Sequence, residues 1–211
     1  MTPFSTIPNR QLMEQARLSL RGKWTTAVLA YFLYVLINYS LRLVFSFMGT
    51  GENAIEDIIY FIISGPLCLG LAGLWLAIAR GQDARVSQLF DGFNRFGTAI
   101  AAYLLIVLLV FLWSLLLIVP GIIAYLSYSQ TFFILADDKS IGPLAAVRKS
   151  KQMMQGNRLK LFYLWCRFIG WFLLTILSCG IGVLWFGPYF NVSLAEFYDD
   201  LLKDMQAVDL S

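Results

Sequence analysis

The sequence contains no histidine, few cysteines and few charged residues. Histidine, absent from all 211 positions, is the commonest general base and zinc ligand. The three cysteines, Cys68, Cys166 and Cys179, are far apart and form no CxxC pair, so we expect free thiols in apolar surroundings. No phosphate-binding loop, zinc-protease motif or serine-hydrolase motif is present. The sequence therefore predicts no catalytic residue, no metal site, no cofactor and no enzymatic activity.

The composition is typical of a protein in lipid. Hydrophobic residues make up 59% of the chain and charged residues 14%, against about 45–50% and ~25% in soluble proteins. A formal net charge of +3 is too small to suggest nucleic-acid binding. The first 24 residues are polar or amphipathic, unlike a cleaved signal peptide, so we expect the first apolar run to stay as an anchor.

Four long runs of mostly uncharged residues are candidates for membrane crossings. About 20 helical residues cross a hydrocarbon core of ~30 Å. The run 96–136 would reach roughly 60 Å, so we divide it at Pro120-Gly121, and the run 161–198 is divided at residues 179–182. Segment 121–136 is short and rich in hydroxyl side chains, so its full crossing stays open.

These divisions predict an all-α, polytopic transmembrane helical bundle. The six predicted spans cover about 25–47, 58–79, 98–118, 121–136, 161–178 and 183–199. They form a membrane domain over 25–204, preceded by an amphipathic lead-in (1–24) and followed by a tail (205–211).

Basic residues predict the orientation of this bundle, because Lys and Arg are enriched in cytoplasmic loops. All 16 of them except Arg42 and Arg167 fall in the leading segment, the loops after spans two and four, or the tail. The first opposite loop is acidic and contains Glu52, Glu56 and Asp57. We therefore expect a multi-pass protein with both termini in the cytoplasm.

The chain divides into three helical hairpins, each entered through a similar lead-in. The lead-ins carry Gly22, Gly92 and Gly156, each followed by a polar or basic residue and the next span. Apolar residues of the first two lead-ins fall on one helical face. Either these helices lie in the lipid headgroup region, or they only connect spans and pack on the bundle.

Three pairs of helix-breaking residues recur, one in each hairpin: Gly65-Pro66, Pro120-Gly121 and Gly187-Pro188. Proline inside a span frees a carbonyl and kinks the helix. Broken helices that line a substrate site are one interpretation. Turns and kinks that fit short helices together are the other, and Pro120-Gly121 is predicted to be a hairpin turn.

Ionisable residues within or near the spans are candidates for function, because charge in a bilayer is costly. Arg167 and Glu196 fall at comparable depths in spans five and six and are predicted as an intramembrane polar pair, with a snorkelling Arg167 as the alternative. Asp137-Asp138 and Asp199-Asp200 are interpreted as solvated helix ends. The basic cluster predicted to contact anionic lipid comprises Arg148, Lys149, Lys151, Arg158 and Lys160.

The second half of the chain resembles a bacterial membrane-protein family known as domain of unknown function 975. The resemblance rests on Leu112-Trp113, Ile118 to Ile123, Ser150 to Met154, Phe168 to Trp171, Gly180 to Gly182, Trp185 and Ala195 to Tyr198. It implies a multi-span protein of the bacterial inner membrane. It implies no catalytic residue and no substrate.

Two hypotheses for function follow. The first is a non-catalytic membrane scaffold or accessory component that contacts a membrane-protein partner or a second copy of itself. The second is a small oligomeric transporter or channel for a small molecule, ion or lipid. Membrane lipids, anionic ones on the cytoplasmic face, are the expected partners in both.

Overall fold

The structure, a computed structural model, describes residues 5–47, 54–178 and 180–209. In these ranges the chain is helical without any β-strand, which confirms the all-α prediction. The α-helices are α1 (Asn9–Ser19), α2 (Trp24–Phe47), α3 (Ala54–Ala79), α4 (Phe96–Leu116), α5 (Ile118–Tyr128), α6 (Thr131–Asp137), α7 (Pro143–Met153), α8 (Arg158–Arg167), α9 (Ile169–Leu177) and α10 (Val183–Asp209). A 3₁₀ segment (Val86–Arg95) joins α3 to α4. Cys179, Glu52 and the side chains of Arg42, Glu56 and Asp57 lie outside the described residues.

Four helical stretches among the described residues are long and apolar enough to cross a membrane. They are Ile58–Ala79, Val86–Leu116, Ile118–Asp137 and Arg158–Leu177, and they overlap predicted spans two to five. Ile118–Asp137 combines α5 and α6 into 20 residues, so the fourth predicted span has the length for a crossing.

The first and sixth predicted spans coincide with helices but are not among those four. Helix α2 covers 25–47, although the side chains near its end lie outside the described part. Helix α10 covers 183–199 but continues to Asp209 and carries several acidic side chains. The count of six spans stays a prediction.

The turn between α4 and α5 is at Leu117, so the prediction that Pro120-Gly121 forms it is wrong. Leu117 has extended backbone angles (φ −166°, ψ 154°) between the two helices. Pro120 lies in the first turn of α5, where a helix does not need its amide proton. Gly121 is buried against Ser114, and a Cβ at Gly121 would collide with that side chain.

The other two Gly-Pro pairs lie inside continuous helices and allow close packing. Pro66 is within α3 and Pro188 within α10. A Cβ at Gly65 would lie 3.0 Å from the Ala99 carbonyl oxygen of α4, and one at Gly187 would collide with the ring of Tyr31. These contacts favour the interpretation that the pairs fit helices together.

The hydrophobic core is concentrated at the end of the bundle that carries the basic loops. The second half of α3 is its centre: Leu67, Leu74 and Ile78 are at most 1% exposed. Helices α2, α4, α6 and α10 and the 3₁₀ segment pack around α3. The opposite end is different, with Ile118 77% and Leu177 79% exposed. The protein therefore has one tightly packed end and one end of exposed apolar helices.

The lead-in segments pack on the bundle with their apolar faces. Leu12 and Leu20 at α1 and Leu89 in the 3₁₀ segment are fully buried, whereas Phe90 and Phe93 remain exposed. Helix α1 packs on α10, the 3₁₀ segment on α3, and α7 on α6 and α4. Each lead-in thus contacts the last helix of another predicted hairpin, and the buried part of each apolar stripe packs on the bundle.

Two glycines allow the backbone of the 3₁₀ segment to approach α3. A Cβ added at Gly92 would overlap the Pro66 carbonyl oxygen, and one at Gly70 would overlap the Leu89 carbonyl oxygen. Backbone atoms cannot rotate away as a flexible side chain can, so a larger residue requires one element to move.

We predict that Gly92→Ala destabilises the protein by about 2 kcal/mol, because the new methyl group forces the 3₁₀ segment away from α3. Gly97→Ala is the matched control, since a Cβ at Gly97 meets no atom within 4 Å and alanine favours helix. Thermal unfolding in lipid nanodiscs measures both. Equal stability of the two variants would contradict the close approach of these backbones.

Candidate functional site

Arg80 joins three helices at the packed end of the bundle. It directly follows α3, while Asp137 is the last residue of α6 and Asp199 belongs to α10. The Arg80 guanidinium donates to Asp199, with Nη2 2.7 Å from Oδ1 and Nε 3.1 Å from both carboxylate oxygens, and its Nη1 pairs with Asp137. The Tyr198 hydroxyl donates to the other Asp137 oxygen at 3.1 Å. We call these four residues the Arg80 junction.

The Arg80 guanidinium of the junction stays positively charged. Hydrogen bonds to Asp199 and Asp137 raise the pKa of the Arg80 guanidinium above its usual value. The side chains of Arg80, Asp137 and Asp199 are 28%, 23% and 16% exposed, so the ion pairs are partly shielded from water. A partly shielded charge is costly when its partner is removed, so the junction is a strong restraint on the relative positions of α3, α6 and α10.

The segment before α1 forms a second polar connection, between α8 and α10. Asp200 is 3% exposed and accepts hydrogen bonds from the Ser5 hydroxyl and the Ile7 amide. Lys160 lies 3.7 Å from Asp200 and donates to the Ser5 carbonyl at 2.8 Å. The interpretation of Asp199-Asp200 as a solvated helix end is therefore wrong. The sequence does contain a signal for these contacts. Arg80 follows span two, and Asp137 and Asp199-Asp200 stand at the ends of spans four and six, so all of them fall at the same end of the predicted bundle.

Arg167 and Glu196 do not pair in the structure. The Ser19 hydroxyl donates to Glu196 at 2.7 Å, and this contact ties α1 to α10. Arg167 is exposed at the end of α8, and the nitrogen atoms of its side chain lie beyond 4.0 Å from the carboxylate of Glu196. Equal depth in two spans does not by itself bring two side chains together, because it does not specify which face of each helix they occupy.

Arg167 instead shares a groove with Lys160. This groove, of about 510 Å³, is lined by Asn9, Lys160, Tyr163, Cys166 and Arg167, and we call it the Arg167 groove. The charge of Lys160 is partly offset by Asp200, whereas Arg167 adds an exposed cation. The structure thus brings together two residues that the sequence assigned to separate roles.

The remaining basic residues of the predicted lipid cluster are divided between two places. Arg148 and Lys149 line another groove, beside Pro143 and Met205, and Lys151 is exposed on α7. Arg158 is half-buried at the start of α8, with its Nε lacking a hydrogen-bond partner. None of these residues lines the Arg167 groove.

A third cavity lies between α3, the 3₁₀ segment and α6. It has about 450 Å³ and is walled by Gly70, Gly73 and Ala77, with Asp91 and Lys139 among its polar lining residues. Within the described ranges no group of three or more Cys, Asp or Glu side chains could hold a metal ion. Cys68 and Cys166 are free thiols, as predicted.

We predict that Arg80→Ala lowers the free energy of unfolding by about 2 kcal/mol, because two partly shielded carboxylates lose their counter-ion. Arg85→Ala is the matched control, as the Arg85 side chain is 76% exposed and its nearest carboxylate, on Asp83, is 3.8 Å away. Its effect should stay within about 0.5 kcal/mol. Thermal unfolding of both variants at equal lipid content decides, and equal melting temperatures would contradict a stabilising role of the junction.

Comparison with known proteins identifies a family and no activity. A family model described as "Protein of unknown function (DUF975)" matches residues 7–127 and 114–205, which include the Arg80 junction and the Arg167 groove. No curated protein and no solved structure matches the chain. The match confirms the resemblance inferred from the second half and includes the N-terminal third. The chain belongs to the DUF975 family.

Proposed function

We propose that this chain is an integral membrane protein that crosses the bacterial inner membrane six times as three hairpins. The four long apolar helical stretches support membrane insertion. Pairs of successive helices pack on each other, α2 on α3, α4 on α5 and α9 on α10, as hairpins would. The basic residues outside the spans favour a cytoplasmic location for the packed end and for both termini.

The observation that carries a functional proposal is the unequal burial of the apolar helices. In an apolar 18-residue part of Ile58–Ala79, 72% of the residues are buried within the protein. The corresponding shares are 11% in Val86–Leu116 and 22% in Arg158–Leu177. Hence α4 and the α8–α9 stretch turn most of their apolar surface away from the bundle. Such a surface is stable only in contact with lipid or with the apolar helices of another protein.

We therefore propose a non-catalytic role as a membrane scaffold or accessory subunit. Several polar groups of the packed end join helices, as the Arg80 junction and the contacts of Asp200 illustrate. The cytoplasmic end would be a rigid base, and the exposed sides of α4 and α9 would bind a partner within the bilayer. Membrane helices associate through packing of such surfaces.

The Arg167 groove supports an accompanying role for anionic lipid. It lies beside exposed apolar residues of α8 and α9, such as Phe162 and Ile169, and offers two cations at the basic end. A lipid phosphate could contact Arg167 while the acyl chains cover the apolar surface. Attraction of roughly 1 kcal/mol per charge corresponds to about a fivefold change in lipid affinity for each cation removed.

Native mass spectrometry tests this function on protein extracted with its surrounding lipid from its own membrane. We expect a second membrane protein at fixed stoichiometry, together with retained anionic lipid. Arg167→Gln should reduce the lipid adduct about fivefold without loss of the protein partner. Arg85→Gln is the control, since Arg85 is exposed and does not line the Arg167 groove.

Extraction of the chain without any protein partner, combined with solute flux through the purified protein in vesicles, would contradict the scaffold proposal. Equal lipid retention by the wild type and Arg167→Gln would contradict the lipid proposal alone.

A further inference from the structure

Three aromatic side chains remain exposed along the 3₁₀ segment and at the start of α4. Phe90, Phe93 and Phe96 are 46%, 38% and 42% exposed. The ring centroids of Phe90 and Phe93 are 6.3 Å apart, and those of Phe93 and Phe96 are again 6.3 Å apart. The rings therefore form one continuous row, which we call the aromatic ladder. A contiguous apolar surface that stays exposed indicates contact with a membrane or with another protein.

The aromatic ladder is a consequence of the 3₁₀ geometry. A 3₁₀ helix has three residues per turn, so side chains at positions i and i+3 lie directly above one another. In an α-helix the same spacing would turn each ring by about 60° relative to the ring before it. The 3₁₀ rise of ~2.0 Å per residue separates such neighbours by about 6 Å, which agrees with the observed ring spacing.

The same geometry gives the 3₁₀ segment three different rows of side chains. One row packs on α3: Leu89 is fully buried, and a Cβ at Gly92 would overlap the Pro66 carbonyl oxygen. The second row is polar and lines the cavity beside α6: Gln88, Asp91 and Asn94. The third row begins at Ser87 and continues as the aromatic ladder. Because the first row fixes the rotation of the segment against α3, the aromatic ladder faces outward.

The aromatic ladder adjoins the apolar surface that the proposed function places in the bilayer. Phe96 is the first residue of α4, and Leu104 and Leu108 of the same helix are 50% and 62% exposed. The 3₁₀ segment and α4 together form the helical stretch Val86–Leu116, whose most apolar part is only 11% buried. The surroundings of the aromatic ladder are therefore continuous with those of α4.

The length of α4 indicates where the aromatic ladder lies relative to the bilayer. The 21 residues of α4 extend about 30 Å, which is the thickness of the hydrocarbon core. With the turn at Leu117 at one edge of the core, Phe96 lies at the opposite, cytoplasmic edge. Phe93 and Phe90 lie about 6 and 12 Å further along the 3₁₀ segment. The headgroup region extends about 5–8 Å beyond the core, so Phe93 falls within it and Phe90 at its outer boundary.

The side chains around the aromatic ladder favour lipid over a protein partner. The Arg85 side chain, just before the 3₁₀ segment, is 76% exposed, and the polar row lies beside the rings. Apolar rings on one face with polar and cationic groups on the others are typical of helices that lie in the headgroup region. A row of three rings is also much smaller than a protein–protein interface, which involves about 20–30 residues on each side.

We propose that the aromatic ladder anchors the protein in the cytoplasmic interface of the membrane. Its rings contact the boundary between lipid headgroups and acyl chains, and they fix the depth at which the packed end lies. The inference rests on the proposed membrane placement of α4 and is independent of the scaffold role.

Spin labels on single cysteines test the lipid contact in nanodiscs. The three native cysteines are replaced by serine, and a nitroxide is attached at Phe93→Cys. Asn94→Cys is the matched control, because Asn94 is the next residue, is exposed and lines the cavity instead. Power saturation compares collisions with oxygen, which is concentrated in lipid, and with a water-soluble nickel complex. We expect the label at position 93 to lose access to the nickel complex and the label at position 94 to keep it.

Two further labels follow the depth along the row. Access to the nickel complex should rise from Phe96→Cys through Phe93→Cys to Ser87→Cys, since Ser87 lies furthest from the hydrocarbon core. Phe96→Cys carries the comparison with Asn94→Cys if Phe93→Cys melts below the cysteine-free parent.

A label at Leu108→Cys, within α4, separates this inference from the membrane placement on which it rests. A label at position 108 that the nickel complex reaches would contradict the placement itself. Lipid exposure at position 108 combined with equal nickel access at positions 93 and 94 would overturn the aromatic ladder alone. An immobilised label at position 93 that neither oxygen nor nickel reaches would also overturn it, because protein would then cover the rings.

Discussion

The fold depends on the pairing of Arg80 with two carboxylates. Helices α3 and α6 end at this point, and their C-terminal carbonyls add partial negative charge to that of Asp137 and Asp199. One guanidinium with several donors can satisfy both carboxylates at once, whereas a lysine offers a single point charge. The junction is also part of the hydrophobic core, because Tyr198 stacks on Phe133 with ring centroids 5.9 Å apart.

The two ends of the molecule differ in what stabilises them. At the packed end, hydrogen bonds and ion pairs join the lead-in segments to other parts of the bundle. Arg95 donates to the carbonyls of Leu135 and Ile141 at 2.7 and 3.0 Å, and Ser19 donates to Glu196 of α10 at 2.7 Å. At the opposite end, α4 and α9 leave most of their apolar side chains exposed. A rigid base with adaptable apolar helices suits a protein that associates within the bilayer.

Much of the fold was predictable from the lengths of the uncharged runs and from the positions of the charged residues. A helix that crosses lipid must be long and nearly uncharged along its own sequence. These two features predict the positions of α2 to α5. The turn was predicted at Pro120-Gly121 instead of Leu117, because proline occurs in the first turn of a helix as well as at a helix break. The expected pair of Arg167 and Glu196 failed because depth in a span does not specify which face of a helix a side chain occupies. The Arg80 junction joins residues far apart in sequence, and only the packing of α3, α6 and α10 brings them together.

In the proposed orientation, the packed, basic end faces the cytoplasm and the exposed apolar helices extend across the membrane. Labelling with a membrane-impermeant maleimide tests it most directly, with the native cysteines replaced by serine. Ser140→Cys marks the basic end, and Leu117→Cys marks the opposite turn, where the native leucine is 69% exposed. We expect that intact spheroplasts label only the Leu117→Cys variant and that the Ser140→Cys variant reacts after lysis. Labelling of Ser140→Cys in intact spheroplasts would contradict the proposed orientation.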